Sequence, residues 1–539
     1  MKIVISFAMI CSISVSYALA QGPSGGQEWL TSNADAQRSS WIRRDVKISK
    51  ESMQKPGFQF LWKLKLEGEA RQLNSLTQPV LLERLIGYRG FKSLVFVAGS
   101  SDTMYAVDYD FGRMYWTTRL NSPATSPRQN GSLACPGGLT AAATRPASLL
   151  PLPPPRGGGN RVTSARALVG EPENGFPDIF ARGSAPAPPA PPPAPAPTPA
   201  GAGGGGGQGL VNSVYVLASD GMLHQLSVQT GKDVVMQPGR FLPPNSNASA
   251  LILIDNVLYT STSNECAGTP NGVWAIDLAN PEKPVTSWRT DGPNIVGSAG
   301  PAVGTDGTIY VATDRTMVAL EPRTLKLRDY FSAPTADFVT SPLVFEHGGK
   351  DLIAIASKDG RLYILNSTSV GSTDHRTPLS TTSLAAKGDE FAGALASWQD
   401  TDGTRWMLTP TSSTITAFKL VEPNGIPTFE QSWTSKEIVS PLPPIIINNV
   451  VFAINNVVFA LSSGEYRSGG ATMTAAQRAQ RSKPAVLYAL DATTGKELWN
   501  SGTTITSFVH SSGLSGGLGQ VYVGTYDGTL YAFGFPIEK

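Results

Sequence analysis

The stretch Tyr488-Ala-Leu-Asp491-Ala-Thr-Thr-Gly-Lys-Glu-Leu-Trp499 decides the fold. Its first residues are the end of an apolar run, its Asp and Gly495 supply a turn, and its last residues begin a new run that ends in Trp. Gly takes positive φ without steric cost, so the turn is built into the sequence. The four-residue phrase at its start recurs eight times. The other copies are Tyr105-Ala-Val-Asp108, His224-Gln-Leu-Ser227, Trp274-Ala-Ile-Asp277, Val318-Ala-Leu-Glu321, Tyr363-Ile-Leu-Asn366, Thr416-Ala-Phe-Lys419 and Tyr531-Ala-Phe-Gly534. Their last residues lie 119, 50, 44, 45, 53, 72 and 43 apart in chain order. A period near 45 with two stretched intervals predicts propeller blades carrying loop insertions.

Working outward, each phrase follows a second apolar run and a tight turn. The clearest copies are Val214-Tyr-Val-Leu-Ala-Ser-Asp-Gly221, residues 352–360, and Val521-Tyr-Val-Gly-Thr-Tyr-Asp-Gly528. Asp-Gly between β-rich runs predicts a hairpin, because both residues accept the positive φ of a type I′ turn. After the phrase, Phe111-Gly112-Arg-Met-Tyr-Trp116 and Thr230-Gly231-Lys232 are weaker versions of the turn-to-Trp element, and Trp288 and Trp433 close their repeats similarly. An aromatic at one place in every repeat can pack between neighbouring sheets. The last repeat ends at Phe535 with no room for an outer strand, while Phe60-Leu61-Trp62-Lys63-Leu64 is an outer strand without a repeat. Joining them completes a ring. The expectation is an all-β fold: an eight-bladed β-propeller of four-stranded antiparallel blades over residues 57–539, closed by pairing the Trp62 strand with the Leu530 strand.

The 539 residues are 41% hydrophobic and 16% charged, with a net charge of +2. Such a balance provides no field for nucleic acid or an anionic membrane surface. Lys2, an apolar stretch from Ile3 to Val15 and Ala18-Leu19-Ala20 form a secretory signal over residues 1–20, too short to span a bilayer. Residues 21–56 are then an N-terminal segment, and the protein is expected to be periplasmic or secreted, with no membrane span. Cleavage leaves Cys135 and Cys266, which in an oxidising compartment are either a disulfide or two buried thiols. No C-x-x-C-H occurs, so covalent haem is excluded. His224, His347, His375 and His510 are scattered without metal spacing. Residues 150–209 are rich in Pro, Ala and Gly and read as a disordered excursion inside a blade. Arg467, Arg478, Arg481 and Lys483 lie in a second, Gly/Ala-rich insertion. A solvated loop is its plain reading, and an anion or partner contact its sharper one. No G-x-S-x-G, P-loop or H-E-x-x-H is present.

Gly-Lys-x-x-Trp after Asp-x-x-Thr resembles the repeat of the pyrroloquinoline quinone (PQQ) propellers, over roughly residues 57–535. The chain is similar to the periplasmic quinoprotein alcohol dehydrogenases, and also to the propeller subunit of the bacterial outer-membrane assembly machinery, which carries no cofactor. The first resemblance implies a flat quinone at the axial mouth over a calcium ion, with a base beside it. Asp337, in Ala336-Asp337-Phe338, resembles that base. Lys358, in Lys358-Asp-Gly-Arg-Leu-Tyr-Ile-Leu365, resembles a quinone contact, and Trp398 a channel aromatic. Asp314 stands where a calcium ligand is expected. Three departures accompany these matches. Gly297-Ser-Ala-Gly-Pro301 lacks the aromatic floor, Asp314-Arg315 replaces the ligating Asn, and the adjacent-cysteine disulfide is absent. Two readings follow: a PQQ- and calcium-dependent dehydrogenase acting on a small-molecule alcohol or polyol, or a cofactor-free scaffold binding an envelope protein or polymer. Asp337 and Lys358 facing each other at the mouth favours the first, and a channel plugged by apolar side chains the second.

Overall fold

A computed structural model describes residues 28–147, 149, 212–384, 393–449, 456–467 and 473–536, apart from residues 56, 88–89, 121–130, 236–238, 281 and 283. The expected signal segment and the insertion at 150–209 lie outside the described residues. Eight antiparallel sheets follow one another in chain order around an axis, as the repeats predict. Blade 4 shows the pattern, running from axis to rim as Ala302–Val303, Ile309–Ala312, Thr316–Leu320 and Leu327–Ser332. Its middle strands are buried on both faces, which is why the repeated phrase is continuously apolar and does not alternate.

Two kinds of irregularity stand beside the four-stranded pattern. In blade 2 the strands Ser213–Leu217, Met222–Ser227 and Gly239–Arg240 pair, and Thr144 bridges Tyr215 at the inner position. Blades 3 and 7 gain a fifth, parallel strand on the axial edge: Pro146–Ala147 beside Ile252–Ile254, and Trp41–Asp45 beside Ile445–Asn449. The ring closes as expected. Gln59–Lys65 runs antiparallel to Thr529–Gly534, with Leu64 opposite Leu530.

The recurrent Trp has a defined task between blades. Trp62 on blade 8, Trp116 on blade 1 and Trp433 on blade 6 each donate an indole N–H to a carbonyl of the next blade. The acceptors are Tyr109 (3.0 Å), Val228 (2.9 Å) and Ala492 (2.9 Å). Three residues further on in each case stands a glycine at positive φ, Gly112, Gly231 or Gly495, with the indole ring lying where a Cβ would be. The Thr-Gly-Lys turn is thus a socket for the preceding blade's Trp.

Residues 28–48 lie along the axis, a feature the sequence did not announce. They contact the blades in order. Leu81 of blade 1 donates its N–H to Trp29 O (2.8 Å) and Arg145 of blade 2 to Leu30 O (2.8 Å). Thr31 Oγ1 donates to Leu251 O beside blade 3 (2.5 Å). Val303, Val344, Ser397 and Ile446, on blades 4 to 7, donate to the carbonyls of Ala36, Gln37, Ser39 and Ser40 at 2.8–3.0 Å. Gly519 N–H of blade 8 reaches Asp45 Oδ2 (2.6 Å). The tight curl places Asn33, Ala34, Arg38 and Ser40 at φ between 55° and 75°. Arg38, fully buried, binds Pro301 O, Thr31 Oγ1 and Ser32 O at 2.8–2.9 Å. Burial lowers its pKa to about 9 against the opposing pull of Asp35, so it stays charged at neutral pH.

Cys135 and Cys266 form a disulfide with Cα atoms 5.5 Å apart, joining the 131–135 loop to the 3-10 turn of blade 3.

Two stability predictions follow from this packing. Gly231→Ala combines positive φ with a ring collision and should destabilise by about 2 kcal/mol in urea unfolding. Gly137→Ala, at φ +70 with open space, should cost about 1 kcal/mol or less, and equal losses would refute the socket. Arg38→Ala strips three buried acceptors of their donor and should cost about 3 kcal/mol by the same measurement.

Candidate functional site

The segments that lead into the inner strands converge at one end of the axis around a cavity of about 430 Å³. Every blade contributes, from Thr77 and Gln78 of blade 1 round to His510, Ser511 and Gly513 of blade 8. The axial segment contributes Ser32 and Asn33 and closes the inner side. Ser32 Oγ is fixed to Gln78 Oε1 (2.5 Å), and Asn33 Nδ2 to Ser40 Oγ (2.7 Å). The wall on the side of blades 4 to 6 depends on glycine. Gly297 sits at φ +88 with Ser341 N only 2.0 Å from its absent Cβ, and a Cβ on Gly393 would meet Ser298 Oγ at 2.9 Å. The described lining is Ser, Thr, Asn, Gln, Gly and small apolar residues, with Arg467 and His510 as its titratable groups. It includes no Phe, Tyr, Trp, Asp or Glu.

Behind this wall Glu465 is almost completely buried, its side chain 1% exposed. It follows the strand Val457–Ser462 and opens the second insertion. Its carboxylate accepts from Arg467 Nε (3.2 Å), Arg478 Nη1 (3.2 Å) and His510 Nδ1 (2.9 Å). Burial pushes the carboxyl up, and the contacts of His510 and Arg467 outweigh it, holding the group below its ordinary value of 4.5. Arg478 belongs to the short helix Ala475–Arg481, so Glu465 ties the insertion down while Arg467 and His510 reach the cavity. The sequence singled out the arginines but not their carboxylate. Glu465 and His510 are 45 residues apart and on different blades, so no local pattern joins them.

The residues expected from the PQQ resemblance lie elsewhere on the same end. Asp337 and Lys358 do face each other, Oδ2 to Nζ at 3.7 Å, and Lys358 N donates to Asp337 O (2.8 Å). Arg315 Nε approaches the same carboxylate at 3.9 Å, and all three side chains are exposed by more than a third. Asp314 Oδ2 accepts from Asn294 N (2.9 Å), and its carbonyl accepts from Phe338 N (2.6 Å). Asp314 therefore anchors the loop bearing Asp337. Trp398 is fully buried, stacked on Trp406 at 5.1 Å within the core shared by blades 6 and 7. None of these four lines the cavity.

Calcium takes six to eight oxygen ligands. Here one carboxylate is flanked by two cations, and among the described residues no three His, Cys, Asp or Glu side chains converge as a metal set. The quinone would need a flat floor, and among the described residues the lining has no Phe, Tyr or Trp. The described residues do not fit the quinone–calcium pair.

No protein-family model matches the chain, and no curated protein does. Solved structures share the fold. A quinohemoprotein alcohol dehydrogenase from Pseudomonas putida HK5 is 10% identical at a TM-score of 0.57, covering 96% of this chain and 81% of that one. The quinohemoprotein alcohol dehydrogenase of Comamonas testosteroni is 14% identical at 0.54, covering 95% and 81%. A europium-containing methanol dehydrogenase is 10% identical at 0.53, covering 95% and 99%. At these identities the likeness is one of fold.

Glu465→Gln leaves Arg467, Arg478 and His510 without their anion and should destabilise by about 2 kcal/mol at pH 7. The folded pKa is depressed, so the wild-type advantage is present above the unfolded value of 4.5 and is lost as pH falls through the folded one. The stability gap between the two proteins should therefore narrow as pH is lowered below 4.5, and a gap that stays constant through acid unfolding would assign the loss to packing.

Proposed function

We propose that this chain is an exported, cofactor-free propeller scaffold whose axial mouth is its binding surface for an envelope protein or polymer. The observation that carries the reading is the axial segment: residues 28–48 occupy the space between the blades and take hydrogen bonds from their inner edges. A propeller filled by its own chain presents a mouth and loops, and the cavity at that mouth is floored by Ser32 and Asn33 of the axial segment. The plug is mixed in character, with Trp29, Ala34 and Ala36 beside Arg38 and several serines, all buried. Export rests on the leader-like residues 1–20 and accords with the Cys135–Cys266 bond.

The dehydrogenase reading retains one observation, the contact of Asp337 with Lys358. That pair is satisfied by itself and by Arg315, and lies off the cavity lining. A free quinone carboxylate at Lys358 would have to displace Asp337.

Purified protein incubated with PQQ and Ca²⁺ and then desalted tests the choice. The expected result is no retained quinone absorbance and no dye-linked oxidation of alcohols. Stoichiometric retention that Lys358→Ala weakens would overturn the scaffold reading and restore Asp337 as a base.

A further inference from the structure

We propose that the axial cavity binds a small, hydroxyl-rich carboxylate of the sugar-acid class, with Arg467 and His510 holding the carboxylate. The charge arrangement is the first reason. Two guanidiniums and an imidazole share one buried carboxylate, Glu465, so the cluster carries surplus positive charge. No acidic side chain stands on the described lining to oppose an anion.

Donor geometry is the second reason. Glu465 takes only Nε of Arg467, and Nη1 and Nη2 have no partner among the described residues. An arginine held at Nε presents its two terminal nitrogens in the spacing of a carboxylate. Glu465 also fixes the imidazole. With Nδ1–H donating to the carboxylate, Nε2 is the nitrogen left for a ligand, as an acceptor in the neutral ring and a donor when protonated.

Lining chemistry selects the rest of the ligand. The cavity volume is that of a site for one small molecule. Asn74 Oδ1 accepts from Ser511 Oγ (2.6 Å), leaving Nδ2, while Asn247 Nδ2 donates to Ser263 Oγ (3.0 Å), leaving Oδ1. Amide donors and acceptors, with serine and threonine hydroxyls and without an aromatic face, recognise hydroxyl groups and give an aromatic or aliphatic acid little to bind. Gly297 and Gly393 let the opposite wall pack closely against Ser341 and Ser298. The inference goes beyond the scaffold reading and does not depend on it.

Titration calorimetry with glucuronate, glucose and inorganic phosphate as separate probes tests it on the full chain. Glucuronate should bind and glucose should not, because glucose offers Arg467 no charge. Arg467→Gln should weaken glucuronate binding by about tenfold or more. Arg478 still pairs Glu465 in that variant, so the insertion stays anchored, and thermal melting verifies the fold. Ser511→Trp, at an exposed site beside His510, should block the cavity while leaving the Glu465 cluster whole. The proposal is overturned if folded wild-type protein gives no heat with millimolar glucuronate, if glucose binds as well, or if Arg467→Gln binds unchanged. Phosphate binding tighter than glucuronate would assign a simple oxyanion site and overturn the sugar-acid class. A uronate polymer binding where monomer does not would place recognition outside the cavity and also overturn it. The PQQ experiment is unaffected by any of these results, so the two readings fail separately.

Discussion

Eight sheets arranged around an axis leave eight inner edges of backbone N–H and C=O groups facing one another, and those groups must find partners. A buried, unpaired backbone group costs about as much as a lost hydrogen bond, and a free strand edge invites another strand. In this chain the N-terminal segment answers the constraint. It passes the blades in order from Trp29 to Asp45 and accepts a hydrogen bond from six of the first seven inner edges or their leads, with Thr31 reversing the direction at blade 3. The curl demands left-handed backbone at Asn33, Ala34, Arg38 and Ser40, a strain tolerated because the surrounding ring over-determines their positions. Arg38 then crosses the turn, tying the segment to Pro301 and to itself.

The rim is held by a different device. A Trp on one blade enters the glycine turn of the next and donates its N–H to a carbonyl there. At these three junctions the contact is directional: blades 8, 1 and 6 grip blades 1, 2 and 7. Blade 8 grips blade 1 through Trp62, which lies on the strand contributed by the N-terminal part of the chain. One segment of about forty residues, between 28 and 66, therefore seals the ring both along the axis and at the rim.

These two devices differed in how visible they were. The rim was legible because its chemistry is local: Asp, Gly and Trp fall at set offsets inside a repeat, and the eight phrases give blade count and closure. The axial segment was not, since its bonds are mostly to backbone and its residues follow no period. Trp29, Arg38 and Ser40 have no sequence partner that marks them. The same limit applies at the mouth. Asp337 and Lys358 were read from phrases, and the structure does bring them to 3.7 Å, because both lie on turns whose positions the repeats dictate. What a phrase cannot show is that Arg315 closes on the same carboxylate. Glu465 and His510 meet only because blades 7 and 8 are adjacent.

The chemistry of the mouth follows from the plugging of the axis. With the axial segment in place, the cavity can be no deeper than Ser32 and Asn33, and its walls are the leads into the inner strands. The described parts of those leads are rich in Gly and Ser and hydrogen-bonded to neighbouring backbone. A charged group can reach the cavity most readily from an insertion or from a lead beside one. Arg467 arrives by the first route and His510 by the second, and one buried carboxylate positions both. Glu465 alone would be costly at 1% exposure, and two guanidiniums and the His510 ring N–H offset that cost while leaving a net positive surface toward the mouth. The insertion that looks in the sequence like a solvated loop is thus the element that brings a guanidinium to the described lining of the cavity.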